Sequence, residues 1–377
     1  MKKLKSKDIY DSLILNGIGY YCGVPDSIVN PLSLFLSDNA PNRHCIAANE
    51  GNAVAIAAGY HIATGEVPLV YMQNSGLSNA IDPLASLIDP TVLSIPMLLF
   101  IGWRGQPGTS DEPQHAKQGA ITTQLLDDLS IPYCVLSRSK SRSDKQIKDA
   151  VVDANEHQRP YAILLEKDIF EEYKPQTKNE APFPLTREDA VHIVTSVIKN
   201  NDVIISGIGK VSRELYDIRD NSNQNHSKDL LIVGGMGHAS SIAFGIASQM
   251  PSQRVYCFDG DGAALMHLGA MATIGSANLS NFCQIVFNNG LHDSVGGQKT
   301  VGLQVSLTDI ASACGYSHVV AATSEQSIRN ALSKALVFKG STFLEICVQG
   351  GARDDLPRPK ITPISNKLDV MAHLASN

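Results

Sequence analysis

The feature that most constrains the fold of this chain is a regular alternation between short apolar runs and segments with helical periodicity. Runs such as 67–73, 95–101 and 282–288 are almost continuously apolar instead of alternating between apolar and polar residues. Strands that are buried on both faces of a parallel sheet have this composition, and the segments between them supply the helical crossovers. The sequence therefore predicts an α/β protein with doubly wound parallel sheets.

The alternation predicts twelve strands and twelve helices. The expected strands are 18–22, 44–48, 67–73, 95–101, 131–136, 161–166, 202–206, 230–234, 254–259, 282–288, 318–322 and 342–348. The expected helices are 6–16, 26–37, 51–64, 78–88, 119–129, 143–157, 187–199, 211–218, 239–249, 263–277, 307–314 and 325–337.

One segment, 171–187, interrupts the alternation. It combines prolines and charged residues without a usable period, which is typical of a linker. We therefore expect two domains, 1–170 and 188–377, a division that agrees with roughly 150 residues per domain. The tail after Gly350 is rich in proline and basic residues, and we expect it to pack as an extended cover.

Charge and cysteine content argue against several classes of protein. The net charge is −6, which disfavours nucleic acid and anionic membranes as partners. The seven cysteines are scattered without a CxxC pair, and such a set indicates buried free thiols in a reducing compartment. No apolar window of about 18 residues is present, and the N-terminal apolar stretch is too short for a signal peptide. We therefore expect a cytoplasmic protein that does not span a membrane.

The most informative segment is 254–293, in which two expected strands end in polar residues. The first strand ends in Gly260-Asp261-Gly262, where a helix begins at once, and the second ends in Asn288-Asn289. Because the ends of parallel strands meet at one edge of a sheet, Asp261 and Asn289 can converge there. A carboxylate and an amide oxygen, with nearby carbonyl and phosphate oxygens, suit Mg²⁺. The alternative is that each segment is only a turn.

A second candidate is Glu50, which follows an apolar strand and heads an Ala-rich helix. We expect its carboxyl to be buried. Burial raises the pKa of a carboxyl whereas the helix dipole lowers it, so the sequence leaves the net direction open. The alternative is a carboxylate that only stabilises the helix N-terminus.

Two further segments place small or polar residues after apolar strands. Asn74, Ser75 and Gly76 follow the strand 67–73 on the same edge as Glu50, and on their own they indicate a turn and a helix cap. The segment 232–247 opens a helix with glycines.

That glycine segment also allows a different class of enzyme. It can be read as a degenerate dinucleotide-binding loop with Gly235 and Gly237, in which Ser240 replaces the third glycine and Asp259 follows later. A nicotinamide-dependent dehydrogenase is therefore an alternative.

Together these segments resemble the thiamine-diphosphate-dependent decarboxylases, and among them the phosphonopyruvate decarboxylases, with sulfopyruvate decarboxylases as close relatives. The resemblance covers nearly the whole chain and implies a pyrimidine-binding domain and a diphosphate-binding domain without a middle domain. The residues that carry it are GVPDS (23–27), NEGNAVAIAAGYHIATG (49–65), MQNSGLSNAIDPLASL (72–87), SIPMLLFIGWRGQPG (94–108), DEPQHAKQG (111–119), GGMGHASSIAFGIA (234–247) and NNGLHDSVGGQ (288–298).

The resemblance implies decarboxylation of 3-phosphonopyruvate to phosphonoacetaldehyde and CO₂, with thiamine diphosphate and Mg²⁺ as cofactors. Glu50 would hydrogen-bond the aminopyrimidine ring of the cofactor. Asp261, Asn289 and the carbonyl of Leu291 would hold the metal. The residues expected to bind the cofactor are Glu50, Asn74, Ser75, Gly76, Gly235, Met236, Gly237, His238, Gly260, Asp261, Gly262, Ala263 and Asn289.

A substrate with a distal phosphonate also requires cations, because the protein as a whole is acidic. Arg104, His115 and Lys117 lie in the expected loop between the strand 95–101 and the next helix, and we expect them to contact the substrate. Arg104 could instead hold the loop through a salt bridge. His292 and Asp293 follow the expected metal ligands and are candidates for proton transfer, although a purely structural role is equally open for each histidine.

The resemblance further implies a homodimer or higher homo-oligomer with active sites between subunits. Phosphonate and sulfonate are both tetrahedral anions, so a sulfopyruvate decarboxylase is an alternative. A protein that binds the cofactor without turnover is another, although the presence of Glu50, Asp261 and Asn289 argues against it.

Overall fold

Each half of the chain forms one parallel sheet of six strands. The computed structural model describes residues 3–176, 182–199 and 201–376, and it divides into two units, residues 1–178 and 179–377. Each unit has its own sheet with helices on both faces, which confirms the predicted α/β class. The predicted linker 171–187 includes residues 177–181, which lie outside the described residues.

In the first unit the strand order is β2-β1-β3-β4-β6-β5, and all neighbouring strands are parallel. The strands are β1 (Tyr21–Gly23), β2 (His44–Ile46), β3 (Leu69–Gln73), β4 (Met97–Gly102), β5 (Tyr133–Val135) and β6 (Pro160–Leu165). The helices are α1 (Ser6–Leu15), α2 (Asn30–Asn39), α3 (Glu50–Thr64), α4 (Asn74–Asp82), α5 (Pro113–Asp128) and α6 (Lys140–His157).

In the second unit the strand order is β11-β12-β10-β9-β7-β8, again with parallel neighbours. The strands are β7 (Val203–Ser206), β8 (Asp229–Leu231), β9 (Val255–Gly260), β10 (Phe282–Asn288), β11 (His318–Ala322) and β12 (Thr342–Cys347). The helices are α7 (Arg187–Val197), α8 (Lys210–Asn221), α9 (Ala239–Gln249), α10 (Asp261–Met266), α11 (Gly269–Ala277), α12 (Leu307–Ala313), α13 (Glu325–Val337) and α14 (Pro363–Ala375).

Both faces of each sheet are covered by apolar side chains, which explains the continuous apolar runs. In β3, Leu69 and Tyr71 belong to one buried cluster whereas Val70 and Met72 belong to the cluster on the opposite face. Successive side chains of a strand point to opposite faces, so both sets must be apolar. The central strands of the second unit follow the same pattern.

The expected helix 26–37 begins four residues later, as α2, and four other helical segments also differ from the prediction. The expected helix 119–129 begins six residues earlier as α5, because Pro113 is suited to the first position of a helix whereas the polar residues after it hide the helical period. The expected helix 78–88 begins as α4 at Asn74 and continues into a π-helical turn, Pro83–Leu87. The expected helix 263–277 is interrupted at His267, where the backbone leaves the helical region, so it forms α10 and α11.

The fourth difference is α14, in a region where we expected only an extended tail. Its N-cap Thr362 accepts a hydrogen bond from the backbone of Ser365, and Pro363 follows at the first position. The pattern was misleading because Ile364 and Leu368 are exposed, whereas the buried positions include the polar Asn366.

The cysteines and the helices bear on two further predictions. All seven cysteines are free, and burial is confirmed for Cys22, Cys257 and Cys283, whereas the other four are partly exposed. Among the described residues, none of the helices combines the length and hydrophobicity that crossing a membrane requires.

Candidate functional site

The carboxyl of Glu50 is buried at the carboxyl edge of the first sheet. Glu50 is the first residue of α3, which follows β2, and it is 5% exposed. Its Oε2 accepts a hydrogen bond of 2.9 Å from Asn79. Burial raises the pKa of Glu50, and the Asn79 hydrogen bond only partly opposes this shift. The structure thus settles the direction that the sequence left open.

Gly76 makes room for this carboxyl. A Cβ atom at Gly76 would lie 2.3 Å from Glu50 Oε1, so any larger residue there would displace the carboxyl from this position. Gly76 and Asn79 are three residues apart in α4 and therefore face the same side of the helix. The segment Asn74–Gly76, which we expected at a strand end, is thus the first turn of α4, and this helix contacts Glu50.

Asn74 and Ser75, expected to bind the cofactor, make hydrogen bonds within the first unit. Asn74 Nδ2 donates to the carbonyl of Arg104 at 2.8 Å and to the hydroxyl of Thr122 at 2.9 Å. Ser75 Oγ donates to Gln73 Oε1 at 2.7 Å. Asn74 therefore fixes the segment that follows β4.

Arg104 makes a salt bridge within that segment. Its Nε donates to Asp111 Oδ2 at 2.7 Å and its Nη2 donates to the other carboxylate oxygen. The Arg104 guanidinium lowers the pKa of Asp111 to about 2. Arg104 Nη1 also donates to Ser27 Oγ at 2.8 Å. A guanidinium has five N–H donors, so these three bonds leave capacity for an additional anion.

His115 and Lys117 do not lie in a loop, as we expected, but in the first turns of α5. His115 is 8% exposed, and its Nδ1 is buried without a hydrogen-bond partner among the described residues. Burial, followed by the charge of Arg104, lowers the pKa of His115. The side chain of Lys117 is exposed. The structure therefore brings Arg104 and His115 near each other, whereas Lys117 faces solvent.

The carboxyl edge of the second sheet brings together the residues expected to bind a metal. Strands β9 and β10 are parallel neighbours, so Asp261 and Asn289 both follow strand ends at this edge. Asp261 is 1% exposed; it accepts hydrogen bonds from the Thr300 hydroxyl and from the backbone N–H of Asn289. Burial raises the pKa of Asp261 to about 6.

Asn289 connects this carboxyl to the following loop. Its Oδ1 accepts from the backbone of Leu291 at 3.0 Å, and its Nδ2 donates to Asp293 Oδ2 at 2.6 Å. Asp293 also accepts from Arg187 and from the backbone of Gly351. Asp261, Asn289 and Leu291 thus form one hydrogen-bonded group.

This donor set fits a magnesium ion that also binds a diphosphate. The described residues contain no group of three or more His, Cys, Asp or Glu side chains that could hold a metal. Mg²⁺, however, commonly takes one or two carboxylates with phosphate oxygens and water. A buried carboxyl with a raised pKa, as at Asp261, gains from a nearby cation that favours its charged form.

Glycines create space around this edge. Gly235 and Gly237 have positive φ angles of 67° and 82°, which glycine adopts without strain. A Cβ atom at Gly237 would lie 2.7 Å from the ring of His267, and that ring stacks on His238 with centroids 4.3 Å apart. Gly235, Met236, Gly237 and His238 form the turn that precedes α9, whereas His267 follows α10.

The glycines of the Gly260–Gly262 turn have different neighbours. A Cβ atom at Gly262 would lie 3.0 Å from the His292 ring, whereas one at Gly260 would meet nothing within 4 Å. Ala263 is buried in α10. Burial lowers the pKa of His292 to about 4, so its imidazole is uncharged at neutral pH.

Sequence reasoning missed several partners of these residues. Asn79 could have been found, because it lies one helical turn after Gly76. Thr300 and Arg187 are far from Asp261 and Asp293 in the chain, and no motif marks them.

Comparisons with known proteins agree with this arrangement. The model of the thiamine pyrophosphate enzyme N-terminal TPP-binding domain matches residues 6–130, and that of the C-terminal TPP-binding domain matches residues 207–346. A phosphonopyruvate decarboxylase of Streptomyces viridochromogenes is 33% identical over 94% of this chain and 91% of its own length. This chain belongs to the phosphonopyruvate decarboxylase family of thiamine pyrophosphate enzymes.

Two further relatives support the family assignment. The phosphonopyruvate decarboxylase of Streptomyces hygroscopicus is 32% identical over 96% of this chain and 91% of its own length. A sulfopyruvate decarboxylase of Methanosarcina acetivorans is 26% identical over 89% of each chain. The predicted class, a thiamine-diphosphate-dependent carboxy-lyase without a middle domain, is therefore confirmed.

Proposed function

We propose that this chain decarboxylates 3-phosphonopyruvate to phosphonoacetaldehyde and CO₂, using thiamine diphosphate and Mg²⁺. The observation that carries this proposal is a pair of buried carboxyls, Glu50 and Asp261. Each lies at the carboxyl edge of its sheet, inside a region that matches one TPP-binding domain. The substrate is taken from the two Streptomyces relatives.

Glu50 would hold the aminopyrimidine end of the cofactor. When bound, thiamine diphosphate supplies a carbon nucleophile and accepts the electron pair that CO₂ leaves behind. Glu50 is suited to exchange a proton with a ring nitrogen because burial favours its protonated form. Asn79 and Gly76 fix the orientation of its carboxyl, while Asn74 and Ser75 would line the same end.

Asp261, Asn289 and the Leu291 carbonyl would hold Mg²⁺, through which the diphosphate binds. Gly260, Gly262 and Ala263 would approach the diphosphate closely on one side. The turn Gly235–His238 would do so on the other, because its glycines leave the backbone accessible. A metal between a carboxylate and phosphate oxygens is a common arrangement for Mg²⁺.

The distal phosphonate would bind at Arg104 and His115. Arg104 has donors left after its salt bridge with Asp111, and a planar guanidinium can contact two phosphonate oxygens. His115 has a buried nitrogen without a partner among the described residues. Lys117 is exposed and would attract the anion only as a solvated charge.

Proton transfer to the carbon that loses CO₂ is assigned to His292. Its imidazole is uncharged at neutral pH because burial lowers its pKa to about 4. A neutral imidazole has one N–H group and one acceptor nitrogen, so His292 would give up the N–H proton while the other nitrogen takes up a proton, and the ring would stay uncharged. Asp293, the second candidate from the sequence, has both carboxylate oxygens engaged in hydrogen bonds. It is less suited to accept a proton.

We also assign the chain to a cytoplasmic homo-oligomer. The helix α3 exposes Ile56 at 39% and Ile62 at 67%, and α9 exposes Ile242 at 37%. Apolar surface on a helix that begins at a candidate site residue favours contact with a second copy. Seven free cysteines are typical of a reducing compartment.

The proposal is tested by measuring CO₂ release from 3-phosphonopyruvate, sulfopyruvate and pyruvate at equal concentration, with thiamine diphosphate and Mg²⁺ added. We expect the highest kcat/KM for 3-phosphonopyruvate. The Asp261→Ala variant serves as the inactive control, because it lacks the charged metal ligand. A preference for sulfopyruvate or pyruvate would overturn the substrate assignment, and no release from any of the three would overturn the proposed activity.

A further inference from the structure

Arg187 lies in a buried ionic network beside the candidate metal ligands. It is the first residue of α7, and its side chain is 7% exposed. Its Nε and Nη2 donate to the two carboxylate oxygens of Glu214 at 2.8 and 3.0 Å. Its Nη1 donates to Asp293 Oδ2 at 2.9 Å. One guanidinium therefore connects α7, α8 and the loop after β10.

Asp293 transmits this connection to Asn289. The same oxygen that accepts from Arg187, Oδ2, also accepts from Asn289 Nδ2 at 2.6 Å. The backbone N–H of Gly351 donates to both oxygens of Asp293, at 3.1 and 3.0 Å. With three donors around it, the Asp293 carboxylate has little freedom to rotate.

This arrangement determines the orientation of the Asn289 amide, that is, whether its NH₂ group or its oxygen faces Asp293. An amide has an NH₂ end that only donates and an oxygen that only accepts. The carboxylate of Asp293 only accepts, so it binds the NH₂ end and directs the oxygen away from itself. That oxygen accepts from the backbone N–H of Leu291 at 3.0 Å, and its second lone pair is the one that a hard cation can use.

We propose that Arg187 is a positioning residue for the metal site, acting through Asp293 on the amide of Asn289. The inference rests on the proposed function, in which Asn289 is a ligand of Mg²⁺. A buried carboxylate without a positive partner is unfavourable, so Arg187 keeps Asp293 in place as the acceptor for Asn289. Removing the partner of a metal ligand typically lowers metal affinity or activity about 10- to 100-fold.

The test compares the wild type with Arg187→Met, Arg187→Lys and Arg219→Met. Arg219 is a matched control, because it is also buried in the same unit and pairs with Asp229 through its Nε and Nη2. For each protein, thiamine diphosphate binding is measured by equilibrium dialysis over a range of Mg²⁺ concentrations. Thermal unfolding and kcat at saturating Mg²⁺ and cofactor are measured alongside.

For Arg187→Met we expect the Mg²⁺ concentration at half-saturation to rise about 10- to 100-fold, with a smaller change in kcat. Arg187→Lys keeps the positive charge but loses the paired N–H donors of the guanidinium. We therefore expect a smaller rise in the Mg²⁺ concentration at half-saturation. Should the methionine variant not fold, the lysine variant decides. Arg219→Met should lower the unfolding temperature without changing the Mg²⁺ requirement.

Three results would overturn the inference, and only the third would also overturn the proposed function. If the wild type binds thiamine diphosphate in a Mg²⁺-dependent manner and the folded Arg187 variants have the same Mg²⁺ requirement, only the role of Arg187 is wrong. If Arg219→Met raises the Mg²⁺ requirement as much as Arg187→Met does, the role of Arg187 is likewise wrong. If the wild type shows no Mg²⁺-dependent binding, the proposed function fails as well.

Discussion

The carboxyl of Glu50 lies in surroundings that favour its uncharged form, and this has a consequence for stability. Burial raises its pKa above the ordinary value of 4.5. A raised pKa in the folded state contributes stability below the unfolded-state pKa, and this contribution is lost as the pH rises through the folded-state pKa. At neutral pH the folded chain therefore bears a cost that glutamine would not.

We predict that Glu50→Gln raises the unfolding temperature of the cofactor-free protein at pH 8. The difference from the wild type should shrink as the pH falls towards 4.5, the ordinary pKa of a glutamate. Thermal unfolding between pH 5 and 8, followed by circular dichroism, measures it. Glu156→Gln, at an exposed position of α6, is the control. A difference that does not depend on pH would contradict the prediction.

Gly76 offers a second test at the scale of one residue. In Gly76→Ala the new Cβ atom would lie 2.3 Å from Glu50 Oε1, so the carboxyl must move. We predict a fall in kcat of at least about 10²-fold, the lower range for losing a proton-transfer group. Gly269→Ala is the control, because a Cβ atom there meets nothing within 4 Å. Normal turnover by Gly76→Ala would show that the position of Glu50 does not matter.

Two roles are possible for Arg104: contact with the substrate, or support of the segment that follows β4. If it binds the distal phosphonate, Arg104→Ala should lose about 1.5–3 kcal/mol of binding, or roughly 10- to 150-fold in kcat/KM for phosphonopyruvate. Pyruvate has no distal anion, so its kcat/KM should change little. Lys148→Ala, at an exposed site on α6, is the control. Equal losses on both substrates would indicate that Arg104 only supports the segment through Asp111.

At the scale of elements, the sequence predicts the sheets well because both faces of each strand are buried. The continuous apolar runs indicate strands that are buried on both faces, and all twelve expected strands are present. Helix ends were harder to predict, because they depend on capping and on contacts distant in the chain. The segment that forms α14 shows this best, since the buried Asn366 bonds to the backbone of a distant strand and only part of its apolar residues, such as Val370, pack in the core.

In the candidate site, too, the features set by local sequence were predictable and those set by distant contacts were not. Glu50, Asp261 and Asn289 were predictable because each follows a strand end, and parallel strands bring such residues to one edge. Arg187 is separated from Asp293 by 106 positions, and no local pattern records their contact. Contacts between site residues and partners in distant elements therefore could not be predicted from the sequence.

The prediction for α14 concerns Asn366, which is 1% exposed. Its Oδ1 accepts from the backbone of Leu231 and its Nδ2 donates to the carbonyl of Asp229, both at 2.8 Å. Asn366→Ala leaves these groups of edge strand β8 without partners, at a cost of about 1–3 kcal/mol for each buried group. Urea unfolding measures the loss. Lys367→Ala, at an exposed position, should be neutral, and a neutral Asn366→Ala would mean that water replaces the amide.

At the scale of the whole molecule, the two ends of the cofactor are assigned to different units. Glu50 belongs to the first unit and Asp261 to the second. The helix α3, which begins at Glu50, and the helix α9, which belongs to the same unit as Asp261, expose apolar side chains. In our proposal a second copy of the chain covers this surface, and one subunit supplies Glu50 where the other supplies Asp261.

This assembly predicts complementation between two inactive variants. Glu50→Gln lacks the proton-transfer group and Asp261→Ala lacks the charged metal ligand, so each homo-oligomer should be nearly inactive. If the variants are co-expressed with different tags, a purified mixed dimer holds one site with both changes and one with neither. With two equivalent sites in a symmetric dimer, it should have about half of the wild-type activity. If each site instead takes both residues from one chain, every site in the mixed dimer carries a change, and its activity would stay as low as that of the separate variants.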